Sequence, residues 1–327
     1  MNLSIVKKIA SFLFSCVVLS SCTEQYAFQN QNFENALIVE ATITNELKHQ
    51  EINISSARPL NDTVRKIESG AKVMIVDNEN NEFRFDEKDG KYISENEFKA
   101  EPNKSYQLKI TTASGKSYIS SQETLTTQNT IDLEATAVEK DGQRGAQINV
   151  KSFDPTNSSK YYRYEYAETY KIVTVYTTTE RVKLVPYLNT FKMEIVPAEP
   201  NTHICYSTKN STGIIQTNTT DLTEDRVNFP VRFINEADYK IANRYSILVS
   251  QYTQNRFAYD YYFTSKKMSD AGEVLSPNQP GFIVGNIKST NDSSEKVVGF
   301  FDVASVAKKR IFFNFKDLFP SADPAPY

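Results

Sequence analysis

Tryptophan is absent from the 327 residues, glycine occurs only 10 times, histidine twice and cysteine three times. Each shortage closes a class of function. Sugar-binding platforms of extracellular proteins usually include tryptophan, and none is available. The sparse glycines form no phosphate-cradling loop, and the two histidines, His49 and His203, form no H-E-x-x-H pair. No C-x-x-C or G-x-S-x-G motif occurs. Charge of one sign is also lacking. With 37 basic against 40 acidic residues there is no basic stripe, so nucleic acid is not an expected partner. Beyond the first 21 residues no apolar run approaches membrane-spanning length. The chain therefore reads as non-enzymatic, with no cofactor, no metal site and no catalytic residue.

What is present begins at the N-terminus. Lys7 and Lys8 precede an apolar run from Ile9 to Leu19, a charged segment followed by a core too short to span a bilayer. It ends in Leu19-Ser20-Ser21-Cys22, which resembles a bacterial lipobox. That resemblance implies cleavage between Ser21 and Cys22, a thioether lipid on the Cys22 sulfur and acylation of the new amino group. Residues 1–21 are then a lipoprotein signal peptide and residues 22–35 a lipidated, amide-rich tether. Several acyl chains, at about 0.8 kcal/mol per buried methylene, hold a protein at a membrane permanently. Thr23, not Asp, follows the cysteine, which by the sorting rule of other bacterial lipoproteins points to the outer membrane. Cys16 leaves with the signal peptide, so Cys205 has no partner for an intramolecular disulfide.

The body of the chain is β-patterned, rich in Thr, Ile, Val, Tyr and Phe. Leu37, Val39, Ala41 and Ile43 alternate with more polar neighbours. Short strands follow every ten residues or so up to Ile119, separated by turns such as Asn78–Asn81 and Lys88–Gly90. An immunoglobulin-like or prealbumin-like β-sandwich is expected over 36–127. The Thr/Gln/Asn-rich stretch 124–130 marks the boundary. A larger β-rich domain with one helix is expected over 128–319, and a flexible proline-rich tail over 320–327. The helix is read at 255–271, where Phe257, Tyr261, Thr264 and Met268 fall at helical spacing and Gly272 can stop it. A strand is read at 281–284, and Lys308-Lys309-Arg310 as a solvated turn.

Nearly the whole mature sequence resembles one family. The segments "ALIVEATITN", "SGAKVMIVD", "HICYSTKNSTGII", "RYSILVSQYTQNRFAYDYYFTSKK" and "VVGFFDVAS", together with the lipobox, are similar to Bacteroidota lipoproteins grouped as domain of unknown function 4249. Tyr206 stands where that family leads one to expect tryptophan, at a position read as core. The resemblance implies an outer-membrane lipoprotein often encoded beside a TonB-dependent receptor. It brings no catalytic residues. The partners it implies are outer-membrane lipid through acylated Cys22 and a TonB-dependent β-barrel receptor.

Three further features carry alternatives. Tyr161, Tyr162, Tyr164 and Tyr166 open a tyrosine-rich run to Tyr176. They form either an aromatic platform for a ligand or partner, or alternate rings filling a core. The platform would make the protein a nutrient-capturing lipoprotein rather than an accessory subunit of an outer-membrane machine. Cys205 and His203, two apart on a strand, could share a face, but a core cysteine on a short buried strand is the simpler reading. Asp77-Asn78-Glu79-Asn80-Asn81 has the flavour of a calcium loop, yet Glu82 sits where such a loop requires glycine, so a hairpin turn is expected.

Overall fold

The computed structural model describes residues 36–57, 66–174, 178–198, 203–271 and 283–324. The signal peptide, Cys22 and the tether lie outside them. In chain order the first half contributes β1 (Leu37–Thr44), β2 (Glu51–Ser56), β3 (Lys66–Ile67), β4 (Lys72–Asp77), β5 (Glu82–Lys88), β6 (Lys91–Ser94), β7 (Ser105–Thr111), β8 (Ser117–Ser120) and β9 (Glu123–Thr124). There follow β10 (Ile131–Lys140), β11 (Gln143–Asp154), β12 (Tyr161–Val173), β13 (Glu180–Tyr187), β14 (Thr190–Pro197), β15 (Ile204–Asn210), β16 (Ile215–Asn218), β17 (Asp225–Asn235) and β18 (Arg244–Gln254). Helix α1 (Arg256–Ala271), β19 (Ile287–Ser289), β20 (Val297–Asn314) and the short α2 (Phe315–Leu318) complete the order. The protein is mainly β, with several sheets and a single helix longer than two turns among the described residues.

Fifteen strands join one sheet, ordered β15-β12-β18-β20-β1-β2-β6-β5-β4-β7-β8-β19, with β16, β3 and β9 attached beside it. Its spine is β20, 18 residues long. The first part of β20 runs parallel to β1, from Leu37 opposite Val297 to Thr44 opposite Ala304. From Ser305 onward it pairs antiparallel with β18. One strand thus serves both halves of the molecule.

Inward side chains of β1, β2, β4 to β8, β19 and the start of β20 meet in one core, including Val39, Ile52, Ile75, Leu108, Ile287 and Phe301. Alternation explains it: in β1, Leu37, Val39, Ala41 and Ile43 are buried while Ile38, Glu40 and Thr42 are not. Residues 287–304, expected in the second domain, therefore complete the first. Sequence alternation sets which face of a strand is apolar, but not which distant strand it joins.

The second core lies between the three-stranded sheet β10-β11-β17 and the sheet β12-β18-β20. Ala146, Ile148 and Val150 of β11 face Tyr164, Tyr245, Ile247 and Phe313 across it. The stretch 124–130 crosses between the halves and is tied down: Thr126 Oγ1 donates to Thr253 O at 2.7 Å and accepts from Ser305 N at 2.9 Å. Ile283 and Val284 are not in a strand, and Gly281 and Phe282 lie outside the described residues. Lys308-Lys309-Arg310 continues β20 instead of turning. Part of the tail read as loose is docked: Ala322 packs against the second core, and Lys316 Nζ donates to Ala322 O at 2.6 Å.

Candidate functional site

The tyrosine run divides by parity. Tyr162, Tyr164, Tyr166 and Tyr170 share the face of β12 turned to the second core, and Tyr161 takes the opposite face with Arg163. Tyr162, Tyr164 and Tyr170 are at most 2% exposed. The Tyr164 ring stacks on Phe229 with centroids 5.5 Å apart. Tyr162 accepts from Asn129 Nδ2 at 3.0 Å and donates to the buried Asp225 carboxylate, whose other oxygen accepts from Thr219 Oγ1 at 2.6 Å. Rings held in this way offer no face to a ligand. Tyr161 and Tyr166 are half-buried, on opposite faces, so the four tyrosines build no common platform. Tyr176 lies outside the described residues.

The other sequence candidates resolve similarly. Cys205 and Tyr206 are not core residues. Both are exposed on β15, the edge strand beyond β12, where no second layer of described residues covers them. At the Asp77 turn one carboxylate oxygen accepts from Glu79 N and Asn81 N, both at 2.9 Å, and the other from Asn81 Nδ2 at 2.8 Å. That is the bonding of a tight β4–β5 hairpin turn, a self-satisfied acidic side chain.

Helix α1 begins where Asn255 Oδ1 accepts from Ala258 N at 2.8 Å, a side-chain N-cap. Its buried face carries Ala258 and Tyr259, while Phe257 is 76% exposed. The spacing Phe257, Tyr261, Thr264 instead lines an open cleft of about 960 Å³ that also involves Glu123, Val284 and Phe300. Glu123 in this cleft serves the chain itself: it accepts from Asn255 Nδ2 at 2.8 Å and Asn286 Nδ2 at 2.9 Å. Under α1 lies a polar bed. The Arg163 guanidinium sits over the Tyr252 and Tyr262 rings, at 4.3 and 5.0 Å from their centroids. Asp302 beside it is fully buried and accepts from Gln254 Nε2 at 3.1 Å. Burial pushes the Asp302 carboxyl up to about 6, against the opposing pull of Gln254 and Arg163.

The feature with no counterpart among the described residues is the ribbon β13–β14. Its two eight-residue strands pair there only with each other. Cross-strand pairs Val182–Ile195, Leu184–Met193 and Pro186–Phe191 fall on one face. The alternate pairs Arg181–Val196, Lys183–Glu194 and Val185–Lys192 fall on the other. On the first face Val182, Leu184, Phe191, Met193 and Ile195 are between 61% and 77% exposed. The reverse face is shielded by long charged side chains; Lys192 pairs with Glu194 at 2.9 Å. At the turn Leu188 is 89% exposed with φ of 48°, a left-handed conformation that costs a leucine energy. Contiguous exposed apolar surface of this kind marks interaction sites on folded proteins. The tyrosine-based reading of the sequence missed it. The signal was there in the period-2 runs Val182-x-Leu184-x-Pro186 and Phe191-x-Met193-x-Ile195 around Leu188-Asn189.

A search of curated proteins returns no match. A family does match, over residues 23–310, and its description assigns it no function. With most of its length covered, the chain belongs to the family described as domain of unknown function (DUF4249).

Proposed function

We propose that the protein is a non-enzymatic outer-membrane lipoprotein that works through protein contacts, as an accessory subunit of a TonB-dependent transporter or a related outer-membrane machine. The observation that carries the interaction role is the bare apolar face of β13–β14, which no described part of the chain covers. Attachment rests on Leu19-Ser20-Ser21-Cys22, and it is supported by the family match beginning at residue 23, directly after Cys22. The barrel partner comes from the family resemblance. Capture of a nutrient by Tyr161, Tyr162, Tyr164 and Tyr166 loses its support, because Tyr162 and Tyr164 are core residues.

Affinity purification of the tagged full-length chain from detergent-solubilised outer membrane tests the reading. A large β-barrel protein is expected to co-purify at native expression. Repeated recovery of the chain without any barrel would sink the accessory role.

A further inference from the structure

We infer that the apolar face of β13–β14 is covered by the same face of a second copy, forming a two-fold symmetric dimer. This rests on the proposal that the ribbon acts through protein contacts, and it names the partner. A two-stranded ribbon has no core of its own and is marginal in water unless a second layer covers it. The described chain supplies no such layer.

Three candidates could supply it: lipid, a different protein, or another copy. Lipid is disfavoured by the backbone. Both outer edges of the ribbon carry N–H and C=O groups that no described strand pairs, and hydrocarbon leaves such groups unsatisfied at a cost of several kcal/mol each. In a face-to-face dimer the edges stay in water. Two ribbons stacked about 10 Å apart then make a four-stranded sandwich, the ordinary packing of two sheets.

The face suits its own image. The pairs Val182–Ile195, Leu184–Met193 and Pro186–Phe191 hold no charge. The one charged residue on this face, Glu180 paired with Pro197, stands at the open end of the ribbon, so stacking centred on Leu184 and Met193 opposes no like charges there. Leu184 and Met193 form the middle pair, and methionine adapts to an imperfectly matched surface. Area is sufficient as well. Five apolar side chains at these exposures, with exposed Pro186 beside them, present on the order of 600 Å² per copy. Two copies bury about 1,200 Å², the lower end of stable interfaces. An isologous contact of this kind closes on itself and does not propagate into fibres.

The test is sedimentation velocity of the full-length chain in detergent at micromolar concentration. Two charge variants are compared with wild type: Leu184→Lys/Met193→Lys and Leu184→Glu/Met193→Glu. These positions are already exposed, so folding should persist, and circular dichroism checks it. Wild type is expected to sediment as a dimer. Each variant alone should associate at least about 100-fold more weakly, from two lost apolar contacts and like-charge repulsion. An equimolar mixture of the two variants should regain the dimer, because opposite charges then face one another. Monomeric wild type, or variants that dimerise as wild type does, would overturn the inference. If monomeric wild type loses binding to phosphatidylethanolamine vesicles or to the barrel on these substitutions, the face belongs to lipid or to that protein instead. If the dimer forms but no barrel is ever recovered, the accessory role falls and the dimer stands.

Discussion

Asp302 and Arg163 lie beneath α1 with hydrogen-bonding capacity unspent: Asp302 Oδ1 and Arg163 Nε have no partner among the described residues. The Asp302 carboxyl is raised to about 6 from an ordinary 3.8, so the fold favours its protonated form. Between those values the folded chain binds more protons than the unfolded chain. Stability from this group is therefore lost as pH rises through the window, and the penalty is complete above the folded value. The penalty is of the order of 3 kcal/mol, because each tenfold change in proton affinity is worth about 1.4 kcal/mol. Asp302→Asn keeps an oxygen for Gln254 and removes the charge. We expect the variant to gain about 1–3 kcal/mol over wild type near pH 7.5, with the gain vanishing near pH 4. Urea titrations at the two pH values decide it; a gain equal at both would refute the account. Tyr162 behaves oppositely. Tyr162→Phe leaves an oxygen of buried Asp225 without its donor and should cost about 1–3 kcal/mol. Barrel recovery should be unaffected, which a ligand-platform tyrosine would not allow.

Among the elements, β20 is the most constrained. Gly299 has φ of +152°, and a Cβ there would lie 2.2 Å from the Val39 carbonyl oxygen of β1. Gly285 packs as tightly on the other side, its hypothetical Cβ 1.6 Å from Gly299 O. Gly299→Ala should therefore push β20 off β1 and destabilise the protein by about 3 kcal/mol or more. The denaturant midpoint is expected to fall sharply; a wild-type midpoint would mean that the parallel pairing is not structural. The same elements show what could be read in advance. Helix α1 was legible from its spacing and from the absence of Gly and Pro within it, to within a residue of its start. Its buried face was not, because the surface below it is polar: Tyr259 and Ala258 turn inward, and Phe257 and Tyr261 border the cleft instead. The parity of the tyrosines was visible in β12, but their burial depended on Phe229 and its neighbours in a sheet formed some 60 residues later. The pairing of β1 with β20 had no local signal at all.

At the scale of the whole molecule the question is where the folded body is held and whether the anchor and the fold are independent. Ala36, the first described residue, leads directly into β1, and β1 lies between β2 and β20 inside the sheet. The chain from Cys22 to that strand is polar and amide-rich. Removing the lipid should therefore move the protein without unfolding it. On the proposed cleavage before Cys22, Lys7 and Lys8 are lost and the remaining chain carries a net charge of −5 (35 basic against 40 acidic residues), so anionic headgroups would repel it and electrostatics could not substitute for acyl chains. Under the proposed lipobox reading, Cys22→Ala removes the thioether site and the lipoprotein cleavage site together. We expect complete loss of the mature, lipidated form from the outer membrane. The chain should accumulate either with its apolar leader uncleaved or as a soluble form, and barrel recovery should fail through misplacement. Labelled palmitate incorporation, membrane fractionation and thermal unfolding, each compared with wild type, separate anchoring from folding. Wild type that takes up no label, or a variant that fractionates normally, would remove the lipid anchor from the account. An unchanged unfolding midpoint in the unlipidated variant would establish that the fold stands without its anchor.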